Sequence, residues 1–442
     1  MPAFRITLGT LVAATFMLYF GLPVGWAAEP AARAAAFQQL SKLGAKLTLD
    51  PDSRATAAES ATGAKRTLDP DSRLTAANLT SASFGDEQVP LLLNFPELQK
   101  LTLWGAGITD DGVSRLRQLV NLNSLVLENT EITNEGVAHL TSLPKLKVLN
   151  LRRSTYLDDD ALARLKQMPQ LEQLILLYNN FGDAGLEHLA HLKKLKVLDL
   201  RGCTLVSNDG LRHLAGLPNL QRLKLRCPAV DDTGVELLAE FPILRGLWLE
   251  DCSVTDAGAE QLKRHTKLDE LYLFRTYISD DGLAGLAPMY RLKQVSLRDT
   301  AVNGSGLVHL KKSAETLIIL DLSETQIRNE GMAHLAALTA LQRINLWNTG
   351  AGDDGMAHLS RLQNLIWLNL QNTEVTDAGL AHLETVSGLK YLNLSETDVT
   401  DAGLSHLTGL KQLGEIDLRF TSVTDDGVAA LKAALPGANI QR

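Results

Sequence analysis

The sequence predicts an α/β solenoid, a horseshoe-like stack of strand–turn–helix units with a parallel sheet on its concave side and helices on its convex side. Three observations carry this. A 24-residue unit recurs from residue 98 to the C-terminus. In each unit an L-x-L segment spaces apolar residues with period two, as a strand with one buried face requires. After a recurrent Gly, apolar residues then fall at helical spacing, as in Gly379, Leu380, Leu383 and Val386.

Fourteen units of 24 or 25 residues, starting at Leu98, Leu122, Leu146 and so on to Leu413, follow L-x-x-L-x-L-x-x-T-x-[IV]-T-D-x-G-[LV]-x-x-L-x-x-L-x-x. Strands stack at about 4.8 Å and helices at about 8–10 Å, so a stack with one on each side must curve. The Thr-Asp pair before each helix, such as Thr376-Asp377 or Thr400-Asp401, is expected to cap the helix and place negative charge at its positive end. The recurrent Gly is expected where neighbouring backbones pack closely. Single-residue insertions fall near Tyr156, Leu205 and Ala314, where loops absorb them. Residues 74–97 align Leu79, Phe84, Val89 and Phe95 with Leu103, Ile108, Val113 and Leu119 and read as an N-terminal cap. At the other end, Ala438-Asn439-Ile440 begins one more strand that closes the last unit.

Before the cap the composition changes. Residues 29–73 are rich in Ala, Ser, Thr and Asp and read as a linker unable to build a core of its own. Within it, GAKLTLDPDSRATAA (44–58) is repeated as GAKRTLDPDSRLTAA (63–77), differing only at Leu47/Arg66 and Ala55/Leu74. Arg5, the apolar run 6–20, Gly21, Pro23 and small residues up to Ala28 read as a signal peptide over residues 1–28, cleaved near Ala27. The expected location is therefore secreted or periplasmic, the alternative being an uncleaved N-terminal membrane anchor over residues 6–28.

The motifs resemble the leucine-rich-repeat family, specifically the 24-residue T-D-x-G type of exported bacterial proteins, related to GALA-type and F-box-associated repeats. The resemblance covers residues 98–442 and implies macromolecular recognition through the concave face. The ninth position, frequently Asn in the family, is mostly Thr here, as at Thr130, Thr276 and Thr373, with Asn kept at Asn179. No F-box-like helical segment precedes the repeats, and an export signal argues against a ubiquitin-ligase role.

The concave strand should expose the third, fifth, seventh and eighth positions of each unit. All four tryptophans beyond the leader fall there, Trp104, Trp248, Trp347 and Trp367, joined by Tyr178, Tyr272, Phe274, Tyr391 and Phe420. Exposed aromatics with arginine nearby are the usual composition of interface hot spots, the alternative being that some of them cover neighbouring strands and brace the sheet. The same columns carry Arg152, Arg153, Arg201, Arg222, Lys224 and Arg226, a basic group that either meets an acidic partner or pairs with Asp199, Glu128 or Glu250 on neighbouring strands.

Other columns read as structural. Eight of ten histidines sit in G-x-x-H-L, but helices about 8–10 Å apart cannot share one ion at about 2.1 Å, so no metal is assigned. Cys203, Cys227 and Cys252 on consecutive units are expected as free core thiols, with a disulfide as the alternative. The acidic turns lack the spacing of a calcium loop. Catalytic spacings such as G-x-S-x-G, H-E-x-x-H and G-x-x-x-x-G-K-[ST] are absent, and no catalytic residue or cofactor is assigned. A formal charge of −8 argues against nucleic acid, while 45% hydrophobic residues suffice for a large core. The leading expectation is a non-enzymatic exported scaffold that binds a protein. A cell-wall or polysaccharide-binding module and a structural envelope spacer are the alternatives.

Overall fold

The computed structural model describes residues 29–51, 55–58, 65–68 and 72–442, so the leader reading at residues 1–28 lies outside the described residues. Among the described residues no helix is long and apolar enough to cross a membrane. The described residues form two compact units, one ending at Val148 and the other Leu149–Arg442.

In the first unit, α1 (Pro30–Lys42) leads through Gly44 into β1 (Lys46–Leu49), followed by β2 (Ala55–Ala58), β3 (Lys65–Leu68), β4 (Leu74–Asn78), β5 (Lys100–Trp104) and β6 (Ser124–Glu128). Strands β4, β5 and β6 are parallel and in register, Ala77 beside Leu101 and Leu101 beside Leu125, and β1 closes the sheet antiparallel to β4. Residues 29–51 thus depart from the expected linker. They hold too few large apolar residues for an independent core, yet they need none, because they dock on the cap at residues 74–97. Ala36, Phe37 and Leu40 of α1 are buried. The Arg33 guanidinium donates to Glu97 at 2.6 Å, to the carbonyls of Ser72 and Asn94, and lies over the Phe95 ring.

The second unit holds a continuous parallel sheet of twelve strands, from Gln173–Ile175 to Asn439–Gln441. Its register aligns one apolar column, Leu223, Leu247, Leu271, Val295, Leu320, Ile344, Leu368, Leu392 and Ile416, all buried. No unit buries its leucines alone, so stability comes from neighbour on neighbour. The opposite side carries segments of one to three turns, several of them 3₁₀ helix, as at Gly282–Leu286 and Ser305–Ser313. A 24-residue unit that spends its first half on strand and turn leaves no room for more.

The T-D-x-G turn works differently from a simple helix cap. Thr133 does cap its helix, accepting from the Glu135 N–H at 3.3 Å. The carboxylate after the threonine, however, reaches into the next unit: Thr133 donates to Asp110 from its N–H at 2.8 Å and its hydroxyl at 2.6 Å. The same pair of bonds joins Asp232 to Thr255, Asp353 to Thr376, Asp377 to Thr400 and Asp401 to Thr424. This ladder explains the glycine. A Cβ at Gly136 would lie 2.2 Å from Asp110 Oδ1, and one at Gly403 2.3 Å from Asp377 Oδ1. What packs closely is therefore the preceding unit's carboxylate as much as its backbone.

The ninth-position threonines turn inward, each hydroxyl donating to the carbonyl three residues back, as from Thr276 to Leu273 at 2.8 Å and Thr373 to Leu370 at 2.6 Å. The bond satisfies a carbonyl as the strand ends in the turn. The residue just before sits in left-handed conformation, with φ of +55° at Arg275 and +52° at Asn372.

Candidate recognition surface

The solvent-facing columns of the second unit are a built surface. Gly246 leaves room for the Trp248 ring to lie flat on the strand, since a Cβ there would be 2.7 Å from the indole. Lys224, Trp248 and Tyr272 are register neighbours on three successive strands. The Lys224 ammonium sits 4.2 Å from the indole centroid on one side, and the Tyr272 ring stacks at 4.8 Å and 8° on the other. Tyr272 is fixed in turn by its hydroxyl, which donates to Gln294 at 2.6 Å. Of the two roles open to an aromatic in this column, Trp248 takes the bracing one: it is only 7% exposed, because both faces are occupied.

The arrangement recurs further along. Arg343, Trp367 and Tyr391 are again register neighbours, with the guanidinium 4.9 Å from the Trp367 ring and the two aromatic rings stacked at 5.1 Å and 7°. Between these stacks Arg298 bridges Phe274 and Trp347, 4.9 and 5.2 Å from their rings, and donates to Glu324 at 2.6 Å. Cation–π contacts of this kind are worth about 0.5–2 kcal/mol each, and their larger effect here is to remove rotamer freedom from the rings.

Half of the basic group is neutralised by carboxylates of its own or nearby strands. Arg201 pairs with Asp199 at 2.8 Å and Glu250 at 3.4 Å, Arg222 with Glu270 at 2.9 Å, and Arg226 with Asp251. Burial opposes the Arg201 charge, yet the hydrogen bond and charge of Asp199, followed by Glu250, raise its pKa above the ordinary value. Glu250 shows the opposite balance: burial outweighs Arg201 and raises its pKa. Burial and then the positive Arg201 lower that of Lys224. Pairing with Asp199 and Glu250 is the outcome for Arg201, so Arg201, Arg222 and Arg226 do not form an open cationic patch.

Tyr178 makes a separate cluster. Its ring covers Gly202, where a Cβ would lie 2.3 Å away, and the Arg152 and Arg153 guanidinium groups approach it at 5.9 and 5.2 Å. Arg226 donates weakly to its hydroxyl at 3.5 Å. Tyr178 is 38% exposed and Phe420 81%, both with left-handed backbone, while Tyr272, Phe274, Trp347, Trp367 and Tyr391 are half-buried. Trp104, 44% exposed, stands on the sheet of the first unit.

The sequence reading missed the polar column beside the rings. The side-chain oxygens of Asp321, Asn345, Asn369, Asn393 and Asp417 each accept the backbone N–H two residues on, at 2.9–3.2 Å. Asn369 also donates to Asn345 at 2.9 Å. The signal was available as Asp or Asn at the fifth position of five consecutive units. Cys203, Cys227 and Cys252 are buried free thiols. The histidine column lies on the helical side, where His406 Nδ1 is 2.6 Å from a Glu384 carboxylate oxygen.

A family model described as a leucine-rich repeat matches residues 191–215, 313–336 and 389–407. Among solved structures, an internalin of Listeria monocytogenes aligns with a TM-score of 0.57 at 22% identity, over 75% of this chain and 88% of that one. A leucine-rich-repeat protein of Leptospira interrogans aligns with a TM-score of 0.52 at 19% identity, over 80% and 92%. No curated protein matches in sequence. The fold is that of a leucine-rich-repeat solenoid, and three of its segments match the leucine-rich-repeat model.

Proposed function

We propose that the chain is a non-enzymatic exported scaffold that binds a protein through the sheet face of its second unit. The observation that carries this reading is the pair of cation–Trp–Tyr stacks on that face, Lys224–Trp248–Tyr272 and Arg343–Trp367–Tyr391. Rings already held in one rotamer lose little entropy on association, which is how preorganised surfaces gain affinity. The contacts are assigned to Tyr178 with Arg152 and Arg153, to Phe420, and to the exposed edges of Tyr272, Phe274, Trp347, Trp367 and Tyr391. Trp248 supports Tyr272 from the adjacent strand, and Arg201, Arg222 and Arg226 fix the intervening carboxylates. Trp104 is assigned as a contact of the first unit.

Polysaccharide binding is the second reading, and the same stacks weigh against it. A sugar stacks on a free aromatic face, whereas both faces of Trp248 and of Trp367 are already taken. The signal segment and the 24-residue T-D-x-G character of the repeats support export, and this part of the proposal stands on sequence alone.

The test is capture from an envelope extract by the purified chain and by an Arg153→Ala, Tyr178→Ala, Phe420→Ala variant of unchanged melting temperature. A captured protein that is lost with the variant is the expected result. Capture of protease-resistant glycan would favour the second reading, and equal capture by both chains would refute binding through this face.

A further inference from the structure

The duplicated segment encodes two strands per copy, K-x-T-L and x-T-A-A, and the structure pairs them across the copies. First-copy β1 lies on second-copy β4, with Leu47 opposite Ala77 and Thr48 opposite Ala76. First-copy β2 lies on second-copy β3, with Thr56 opposite Thr67 and Ala57 opposite Arg66. The β1–β4 pair belongs to the main sheet, whereas β2–β3 is a separate two-stranded ribbon, a form of marginal stability by itself.

The only two differences between the copies sort these four strands. Leu47 is half-buried and Leu74 fully buried, and both lie in the pair that closes the sheet. Their counterparts Arg66 and Ala55 both lie in the ribbon. Strand β3 otherwise repeats β1 residue for residue, and only residues 69–73 separate it from β4, a length within the usual range for a hairpin loop. By contrast, β1 reaches β4 across residues 50–73, and a longer loop costs more entropy to close.

We infer that the closing strand is exchangeable: β3 can replace β1 on β4, placing K-R-T-L where K-L-T-L now lies and expelling residues 44–62 as a loop. Helix α1 stays docked through Arg33 and Glu97, because the expelled stretch is long enough to span the gap. The exchange moves one duplicate length between cap and tether without uncovering the sheet. Leu47 holds the observed arrangement, since Arg66 in the same half-buried place meets a desolvation cost.

Disulfide trapping in the full chain tests this. Thr48→Cys with Ala76→Cys reports the observed pairing, and Thr67→Cys with Ala76→Cys reports the exchanged one. The first pair is expected to cross-link in the otherwise unchanged chain, and Arg66→Leu to raise intramolecular cross-linking of the second at least several-fold. A chain lacking residues 44–62 should cross-link 67 to 76 nearly completely and melt within a few degrees of the full chain. The inference is overturned if the 67–76 bridge does not rise with Arg66→Leu, if it forms only between molecules, or if the deletion loses the protease protection of α1.

Discussion

Thr400 gives Asp377 of the preceding repeat two hydrogen bonds, from its N–H at 2.8 Å and its hydroxyl at 2.6 Å, while capping its own helix by accepting from the Ala402 N–H. One side chain therefore serves a helix end and a repeat interface together. Thr400→Val removes the cap and one of the two inter-repeat bonds and leaves the carboxylate short of a donor. The expected loss is about 1–2 kcal/mol, read from the midpoint of urea unfolding, and Thr400→Ser should recover most of it. A variant as stable as the parent would mean that the ladder contributes nothing net.

The ladder also gives stability a pH dependence of fixed sign. The hydroxyl and then the N–H of Thr424 hold the Asp401 carboxyl below the ordinary carboxylate range, and Arg419 does the same for Asp417, against the opposing effect of burial. Groups with depressed folded pKa values take up protons on unfolding, so their contribution is complete above the unfolded value of about 4 and is lost as pH falls through the folded values. Stability should be flat from neutral pH down to about 5 and then fall. Thr424→Val should flatten that fall in a titration of the unfolding midpoint, and an unchanged acid slope would remove Asp401 from the account.

The glycine of T-D-x-G is expected to be required for what it faces rather than for its backbone angles. At Gly379 a Cβ would lie 2.4 Å from Asp353 Oδ1, so Gly379→Ala must displace the carboxylate that Thr376 binds. We expect a loss of about 2–3 kcal/mol. Gly409 has nothing within 4 Å of the same added atom, so Gly409→Ala should be neutral or slightly stabilising. Calorimetry of the two variants separates local crowding from a general intolerance of substitution.

Burial pushes the Cys203 and Cys252 thiols up to about 12, and Cys227 higher still. The thiolate is the reactive form, so the native chain should resist alkylation at pH 8 for hours, whereas all three thiols should react on unfolding. Mass spectrometry after brief iodoacetamide exposure decides this. Rapid labelling of Cys227 in the native state would show that this part of the sheet opens readily.

How much of this was legible in the sequence follows from what repeats. The strand register and the inward leucines were readable because each unit restates them, and Leu247, Leu271 and Leu368 stand where period two places them. The end structure was not readable from composition, because α1 is held by partners outside its own segment, Glu97 and Phe95, which no count of its own apolar residues reveals. Among the candidate surface residues, position identified the column but not the exposure. Whether an aromatic in that column stands free depends on the next strand: Trp248 meets Lys224 and Tyr272, whereas Phe420 projects from a left-handed turn with φ of +60°.

That contrast yields the most direct test of the surface. Trp248 is buried between two neighbours, so Trp248→Ala should destabilise by about 3–5 kcal/mol and weaken binding only through disorder of Tyr272. Phe420 buries little and occupies a backbone region that costs an L-residue roughly 1–2 kcal/mol. Phe420→Gly should therefore leave stability unchanged or raise it, while removing the most exposed ring of the face. If the surface recognises a protein, Phe420→Gly lowers capture with no loss of melting temperature, and Trp248→Ala lowers both together. A Phe420→Gly chain that melts higher and captures as well as the parent would place the contacts elsewhere, at Tyr178 and its arginines, and binding measured on Tyr178→Ala would then decide whether the sheet face is used at all.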